Sequence, residues 1–116
     1  MESAMEFELS ELGAVLRAVL RGRLDTAGVG LIETRFTAGV VPPGRPVVVD
    51  LSEVSFVSSM GLRMIIGTAR ALRARGAAMA LYGAQPLVRE TLDHVALGEI
   101  IPIAETEADA LARLGA

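Results

Sequence analysis

Residues 47–62 read VVVDLSEVSFVSSMGL, and their reading decides the fold. Val47, Val48 and Val49 are β-branched and apolar on both faces of an extended chain, the pattern of a strand buried within a parallel sheet. The run ends at Asp50 and a short polar loop is expected after it. Ser58, Ser59 and Gly61 then lead into a segment where Leu62, Ile65, Ile66, Ala69 and Leu72 recur at helical spacing. Arg63, Arg70, Arg73 and Arg75 take other positions, and Gly76 supplies a stop. This order sets two hydroxyls at a helix N-terminus beside the exit of a buried strand. A serine there can cap the helix, bind an anion or accept a phosphate.

Outward from this stretch, strand and helix patterns alternate. Residues 7–9 and 14–20 read as two strands joined by a turn near Glu11 to Gly13, and the second carries Val15, Arg17 and Val19 on one face and Leu16, Ala18 and Leu20 on the other. Gly22-Arg23-Leu24-Asp25 ends that strand, and Asp25 or Thr26 suits an N-cap. Val29, Ile32 and Phe36 then share one helical face, although Gly28 and Gly30 weaken its first turn. The Pro/Gly cluster at 42–46 is a loop rather than a domain boundary. Residues 78–82 form another strand, Val88, Leu92 and Val95 a short helix after Pro86, and residues 100–103 a further apolar segment. Residues 105–114 close the chain as a helix with Ala108, Leu111 and Ala112 inward. The sum is β-β-α-β-α-β-α-β-α: a mostly parallel sheet with right-handed crossovers, its leading hairpin supplying one antiparallel edge.

Composition narrows the function. The chain has 116 residues, enough for one core, and 52% of them are hydrophobic but only 3% aromatic, so Leu, Val, Ile, Ala and Met must fill it. A net charge of −3 argues against nucleic-acid binding, which calls for a basic excess on one face. All 11 basic residues are Arg, which reads as compositional bias, although Arg at a partner surface would also suit bidentate contacts. The absence of Cys excludes disulfides and thiolate metal sites. The acidic start MESAMEFELSELG does not resemble a secretory signal, and no apolar run approaches the ~20 residues of a membrane span, so the expectation is a cytoplasmic protein.

Catalytic constellations fail one by one. His94 is the only histidine, and nothing in the sequence brings it to Ser59 and Asp50 to form a triad; the serines also lack the G-x-S-x-G elbow. The phosphate-loop pattern needs a Lys, and there is none. Gly28-Val29-Gly30 is no dinucleotide fingerprint, because position 33 is Glu. No cofactor and no metal is expected. Capping alone would need one serine; here there are two, followed by Met60, which has no evident core neighbour, and Gly61, which leaves the backbone open to close approach.

The segment from Asp50 to Leu62 resembles the signature of anti-sigma factor antagonists, the STAS-domain family, in which a D-L-S/x-V-x-F-h-D-S-S/A-G-L pattern joins the third strand to the second helix. Gly22 to Asp25 resembles the family's G-x-L-D, Ala80 to Gly83 the strand after the signature helix, and residues 105–111 its acidic, alanine-rich last helix. The resemblance implies a single α/β STAS domain over residues 1–116, with a mostly parallel mixed sheet, one antiparallel edge strand and about four helices. It also implies a non-enzymatic switch. The unphosphorylated form would bind an anti-sigma factor, itself a serine kinase, and phosphorylation would release it, with a PP2C-like serine phosphatase restoring binding. Aligned on Gly61 and Leu62, the acceptor falls on Ser59, with Ser58 the second candidate. The family's usual acidic residue is replaced by Ser58, and its usual small residue by Met60. The expected partner surface is Asp25, Val57, Ser58, Ser59, Met60, Gly61 and Arg63, extended by Arg70 one face-repeat on. The free protein is expected to be a monomer. A structural STAS subunit of a transporter-associated or stressosome-like assembly, and a nucleotide or anion sensor, are the alternatives.

Overall fold

The computed structural model describes residues 5–115. Five strands form one sheet in the order β1-β2-β3-β4-β5: β1 (Glu6–Leu12), β2 (Val15–Leu24), β3 (Val47–Val57), β4 (Met79–Tyr82) and β5 (Ile103–Ala104). β1 and β2 pair antiparallel as a hairpin, and every later pairing is parallel. Four α-helices connect and close the sheet: α1 (Thr26–Val40), α2 (Ser59–Ala74), α3 (Pro86–His94) and α4 (Glu107–Arg113). Because the parallel strands follow one another in sequence order, right-handed crossovers place α1, α2 and α3 on the same face. There Val29, Ile32 and Phe36 of α1, Met64, Ile65 and Leu72 of α2, and Val88 and Leu92 of α3 bury against Leu20, Val49, Leu51 and Leu81 of the sheet. α4 returns over the other face, where Val15, Val48, Ala80, Tyr82, Ala104 and Ala110 form a second, smaller cluster.

The expected mixed α/β sheet with one antiparallel pair is present, and several boundaries differ. The polar loop expected after Asp50 is strand: β3 continues to Val57 because β2 continues to Leu24 and pairs with it as far as Leu24 opposite Val57. Ser52 and Glu53 are polar because β4 pairs β3 only as far as Asp50 opposite Tyr82. Gly22, expected to end β2, lies inside it with φ +110°, where the register to β3 shifts. Residues 100–103 were expected as one apolar strand; instead a 3-10 turn (Leu97–Glu99) precedes it, Ile100 is exposed, and only Ile103–Ala104 pair with β4. Val95 lies past the end of α3 and is exposed rather than inward.

α4 is rotated from its expected face. Ala108 and Ala112 are exposed, while Glu107, Ala110, Leu111 and Leu114 form the inward i, i+3, i+4, i+7 stripe. An ion pair explains the rotation. Glu107 accepts from Arg17 at both oxygens (2.9 and 3.2 Å) and from the Tyr82 hydroxyl at 2.9 Å. The Arg17 hydrogen bonds hold the Glu107 carboxyl below its ordinary value against a desolvation penalty, with Tyr82 adding to the effect. Burial first, and then the bond to Glu107, raises the Tyr82 hydroxyl, so it acts as a neutral donor.

Candidate functional site

The site is built where two strands end together. β2 leaves the sheet at Leu24 and β3 at Val57, adjacent in register, and each passes directly into a helix N-terminus. Asp25 is the N-cap of α1, its Oδ1 accepting from the Gly28 N–H at 2.8 Å. That hydrogen bond, more than the neighbouring Arg23, holds the Asp25 carboxyl below its ordinary value. Ser58 is the N-cap of α2. Its Oγ accepts from the Gly61 N–H at 3.2 Å and donates to the Leu24 carbonyl at 3.1 Å, and its own N–H donates to the same carbonyl at 2.9 Å. Ser58 thus fastens the start of α2 to the end of β2.

Gly61 is required by this closeness. A Cβ there would lie 2.6 Å from the Leu24 carbonyl oxygen and 2.9 Å from its Cγ. Gly28, which weakened the sequence case for α1, has the same cause: a Cβ would lie 2.2 Å from the Arg23 carbonyl oxygen.

Ser59 is placed quite differently from Ser58. It is the first residue of α2, exposed, and among the described residues its hydroxyl makes no hydrogen bond. No acidic residue occupies the first turn of α2, so the positive end of the helix is not offset by a carboxylate on that turn. Met60 beside it is 37% exposed, in keeping with its lack of a core neighbour. Arg63, one turn further, is exposed and among the described residues forms no ion pair. Val57 and Gly61 are buried, so they position this surface rather than present it. The fold therefore brings Asp25, Ser58, Ser59, Met60 and Arg63 to one end of the sheet, the end where the parallel strands terminate.

The far wall of the site was not anticipated from the sequence. An open groove of about 480 Å³ runs from Ser58, Ser59 and Leu62 to Leu87, Thr91 and His94 of α3. His94, for which the sequence offered no route to Ser59, lines the same groove because α3 packs on the same sheet face as α2. Two exposed apolar residues, Leu87 and Val95, at the ends of an otherwise amphipathic helix were the available hint. Phe56 also lines the groove, and the Arg23 guanidinium stacks over its ring at 4.4 Å from the centroid.

Comparison with known proteins fits this arrangement. The STAS domain family model matches residues 7–110. The chain belongs to the STAS-domain family. It is 30% identical over 108 residues to the Bordetella bronchiseptica protein named as anti-sigma factor antagonist BtrV, covering 93% of each chain. An anti-sigma factor antagonist from Mycobacterium paratuberculosis superposes with a TM-score of 0.86 at 23% identity, over 97% of this chain and 96% of that one. The Bacillus cell fate determinant SpoIIAA in its phosphorylated form superposes at 0.68, also at 23% identity, over 93% and 98%. At that identity the two structures speak to fold. Among the described residues no helix is long and apolar enough to cross a membrane, and no group of three or more His, Asp or Glu is placed to hold a metal ion.

Proposed function

We propose that this STAS chain, acting as one unit over residues 1–116, is an anti-sigma factor antagonist that works by partner switching. Unphosphorylated, it binds an anti-sigma factor with serine-kinase activity through Asp25, the Ser58–Met60 turn and the exposed side of α2 from Arg63. Phosphorylation of Ser59 releases it, and a PP2C-like phosphatase resets it. The chain itself catalyses nothing, is a cytoplasmic monomer when free, and needs neither nucleic acid nor cofactor. The names of its relatives support the antagonist role.

One observation carries the choice of acceptor: the two adjacent serines divide their work. Ser58 Oγ is committed to two hydrogen bonds, while the Ser59 hydroxyl is exposed and uncommitted among the described residues. A phosphate on Ser59 adds about −1.5 to −2 charge. Within the protein the helix N-terminus stabilises it by about 0.3–1 kcal/mol, so the fold survives. In a packed complex the same dianion must be desolvated or meet a like charge, which costs several kcal/mol, and each ~1.4 kcal/mol is tenfold in affinity.

The test is incubation with ATP and a candidate serine kinase sought among neighbouring genes, with phosphate mapped by mass spectrometry and complex formation followed by calorimetry. Phosphate should appear on Ser59, persist in Ser58→Ala and vanish in Ser59→Ala, and Ser59→Asp should no longer hold the kinase. Phosphate on Ser58 alone, or a complex indifferent to Ser59→Asp, refutes the proposal.

A further inference from the structure

Most arginines outside the exposed side of α2 are engaged; Arg113 on α4, exposed and without a hydrogen bond or ion pair among the described residues, is the exception. Elsewhere Arg17, Arg21, Arg45 and Arg89 are each engaged with a carboxylate, and Arg75 with the Pro42 carbonyl. Arg63, Arg70 and Arg73 are exposed, and among the described residues none makes a hydrogen bond or an ion pair. In a chain of net charge −3, three unneutralised cations on one helix are a local excess.

These cations flank apolar surface. The groove that begins at Ser59 continues along α2 as a second open depression of about 500 Å³, whose floor and far wall are Leu62, Ile66, Val95, Leu97 and Ile100. Among the described residues the large apolar side chains standing exposed are Leu31, Met60, Leu87, Val95 and Ile100. Three of these five line the two depressions, a clustering that marks an interaction surface rather than scattered exposure. The cations are on one side only. The opposite wall carries Glu90 near one end and Glu99 near the other. From Ser59 to Arg73 the α2 wall rises about 21 Å, the length of a helix of about 14 residues.

We propose that the groove between α2 and the segment from α3 through the 3-10 turn docks an amphipathic helix of the partner protein, its apolar face over Leu62, Ile66 and Val95 and an acidic edge along Arg63, Arg70 and Arg73. Helix-in-groove recognition needs an apolar trough for anchors at i, i+3, i+4 and i+7, and here it is bordered by fixed charge that sets orientation. Guanidinium groups suit the carboxylates, each able to bind bidentately. The inference rests on the partner-switching reading in taking the occupant to be a protein. It adds a docking surface that runs away from Ser59 and so remains available for part of the partner whatever the state of that serine.

The test uses the full chain and a synthetic amphipathic peptide of about 14 residues, Leu along one face and Glu along one edge, against a twin with Lys in place of Glu. Fluorescence anisotropy should show saturable binding of the acidic peptide only. Binding should weaken about tenfold in Arg63→Glu/Arg70→Glu, whose changes are at exposed sites, and should fall as salt rises. Ile100→Glu, at another exposed position, should also weaken it, and thermal melts establish that both variants fold. Equal binding of the Lys twin, no saturable binding of either peptide, or an unchanged affinity in the folded charge-reversed variant overturns the proposal, as does sedimentation showing two copies of the chain closing the groove against each other. Ser59→Asp should still bind the peptide through the contacts from Leu62 to Arg73. Release of the kinase by Ser59→Asp is measured separately, so the groove and the switch can each fail without the other.

Discussion

Replacing Ser58 and Ser59 in turn by Ala should separate the structural serine from the exposed one. Ser58→Ala removes the acceptor for the Gly61 N–H and one of two donors to the Leu24 carbonyl. Loss of an N-cap costs about 1 kcal/mol in exposed helices. Gly61 is buried, so water does not readily replace the lost partner, and an unmet buried donor adds about 1 kcal/mol. The Leu24 carbonyl keeps its bond from the Ser58 N–H and adds little. The sum is about 2 kcal/mol. With an unfolding entropy of about 2.1 cal/mol/K per residue, a chain of this length should lose about 8 °C in Tm.

Ser59→Ala removes an exposed hydroxyl without a hydrogen bond among the described residues, so its stability should stay within about 0.5 kcal/mol of wild type. Ser58→Asp should recover most of the alanine loss. A carboxylate still accepts from Gly61 and suits the helix N-terminus, although it can no longer donate to Leu24. Differential scanning calorimetry and urea titration of the three variants check this. Equal losses for Ser58→Ala and Ser59→Ala, or a neutral Ser58→Ala, would refute the division of labour.

Three further outcomes follow from the same geometry. Gly61→Ala should destabilise by about 3 kcal/mol in urea unfolding, because its Cβ would meet Leu24, whereas Gly67→Ala on the same helix, with nothing within 4 Å of its Cβ, should be neutral or stabilising. Glu107 should make stability pH-dependent: its folded-state carboxyl lies below its unfolded value, so the stabilisation is full above the ordinary carboxylate range and fades as pH falls through the lower folded value, and Glu107→Gln should flatten that limb of a urea-midpoint profile. Arg45→Lys should cost about 1 kcal/mol by chemical denaturation, because Arg45 spans the Gly13 carbonyl (2.7 Å), the Ala14 carbonyl (3.0 Å) and the Glu11 carboxylate, a fork that a single ammonium cannot reproduce.

The alternation of strand and helix, the single antiparallel pair and the serine pair at the start of α2 were all legible in the sequence, because each rests on local periodicity or on capping chemistry. What was not legible depends on register between distant segments. Residues 51–57 look like a loop because Ser52, Glu53 and Ser55 are polar, yet they are strand because β2 lies alongside. α4 faces the sheet through Glu107 rather than Ala108 because Arg17 and Tyr82, 90 and 25 residues away, wait for a carboxylate. His94 reaches the Ser59 groove only through the placement of α3 on the same face as α2. The sequence also could not say which serine caps, since either hydroxyl suits an N-cap; the Leu24 carbonyl beside position 58 decides it.

That decision has a consequence for how a modification at this helix end can act. A lone serine serving as both cap and acceptor would couple the two events: phosphorylating it would give up the bond to Gly61 and the bond to Leu24, and so part of the fold, at a cost of about 2 kcal/mol. Release of a partner would then be mixed with local unfolding of α2. Here the cap resides on Ser58, and the proposed acceptor is its exposed neighbour, one position into the helix. Charge can be added at Ser59 while Ser58 keeps α2 fastened to β2. On the proposed reading, the apolar groove and the arginine side of α2 hold their geometry in both states. So read, the switch changes what the surface repels without changing its shape, and a partner is discriminated by electrostatics alone.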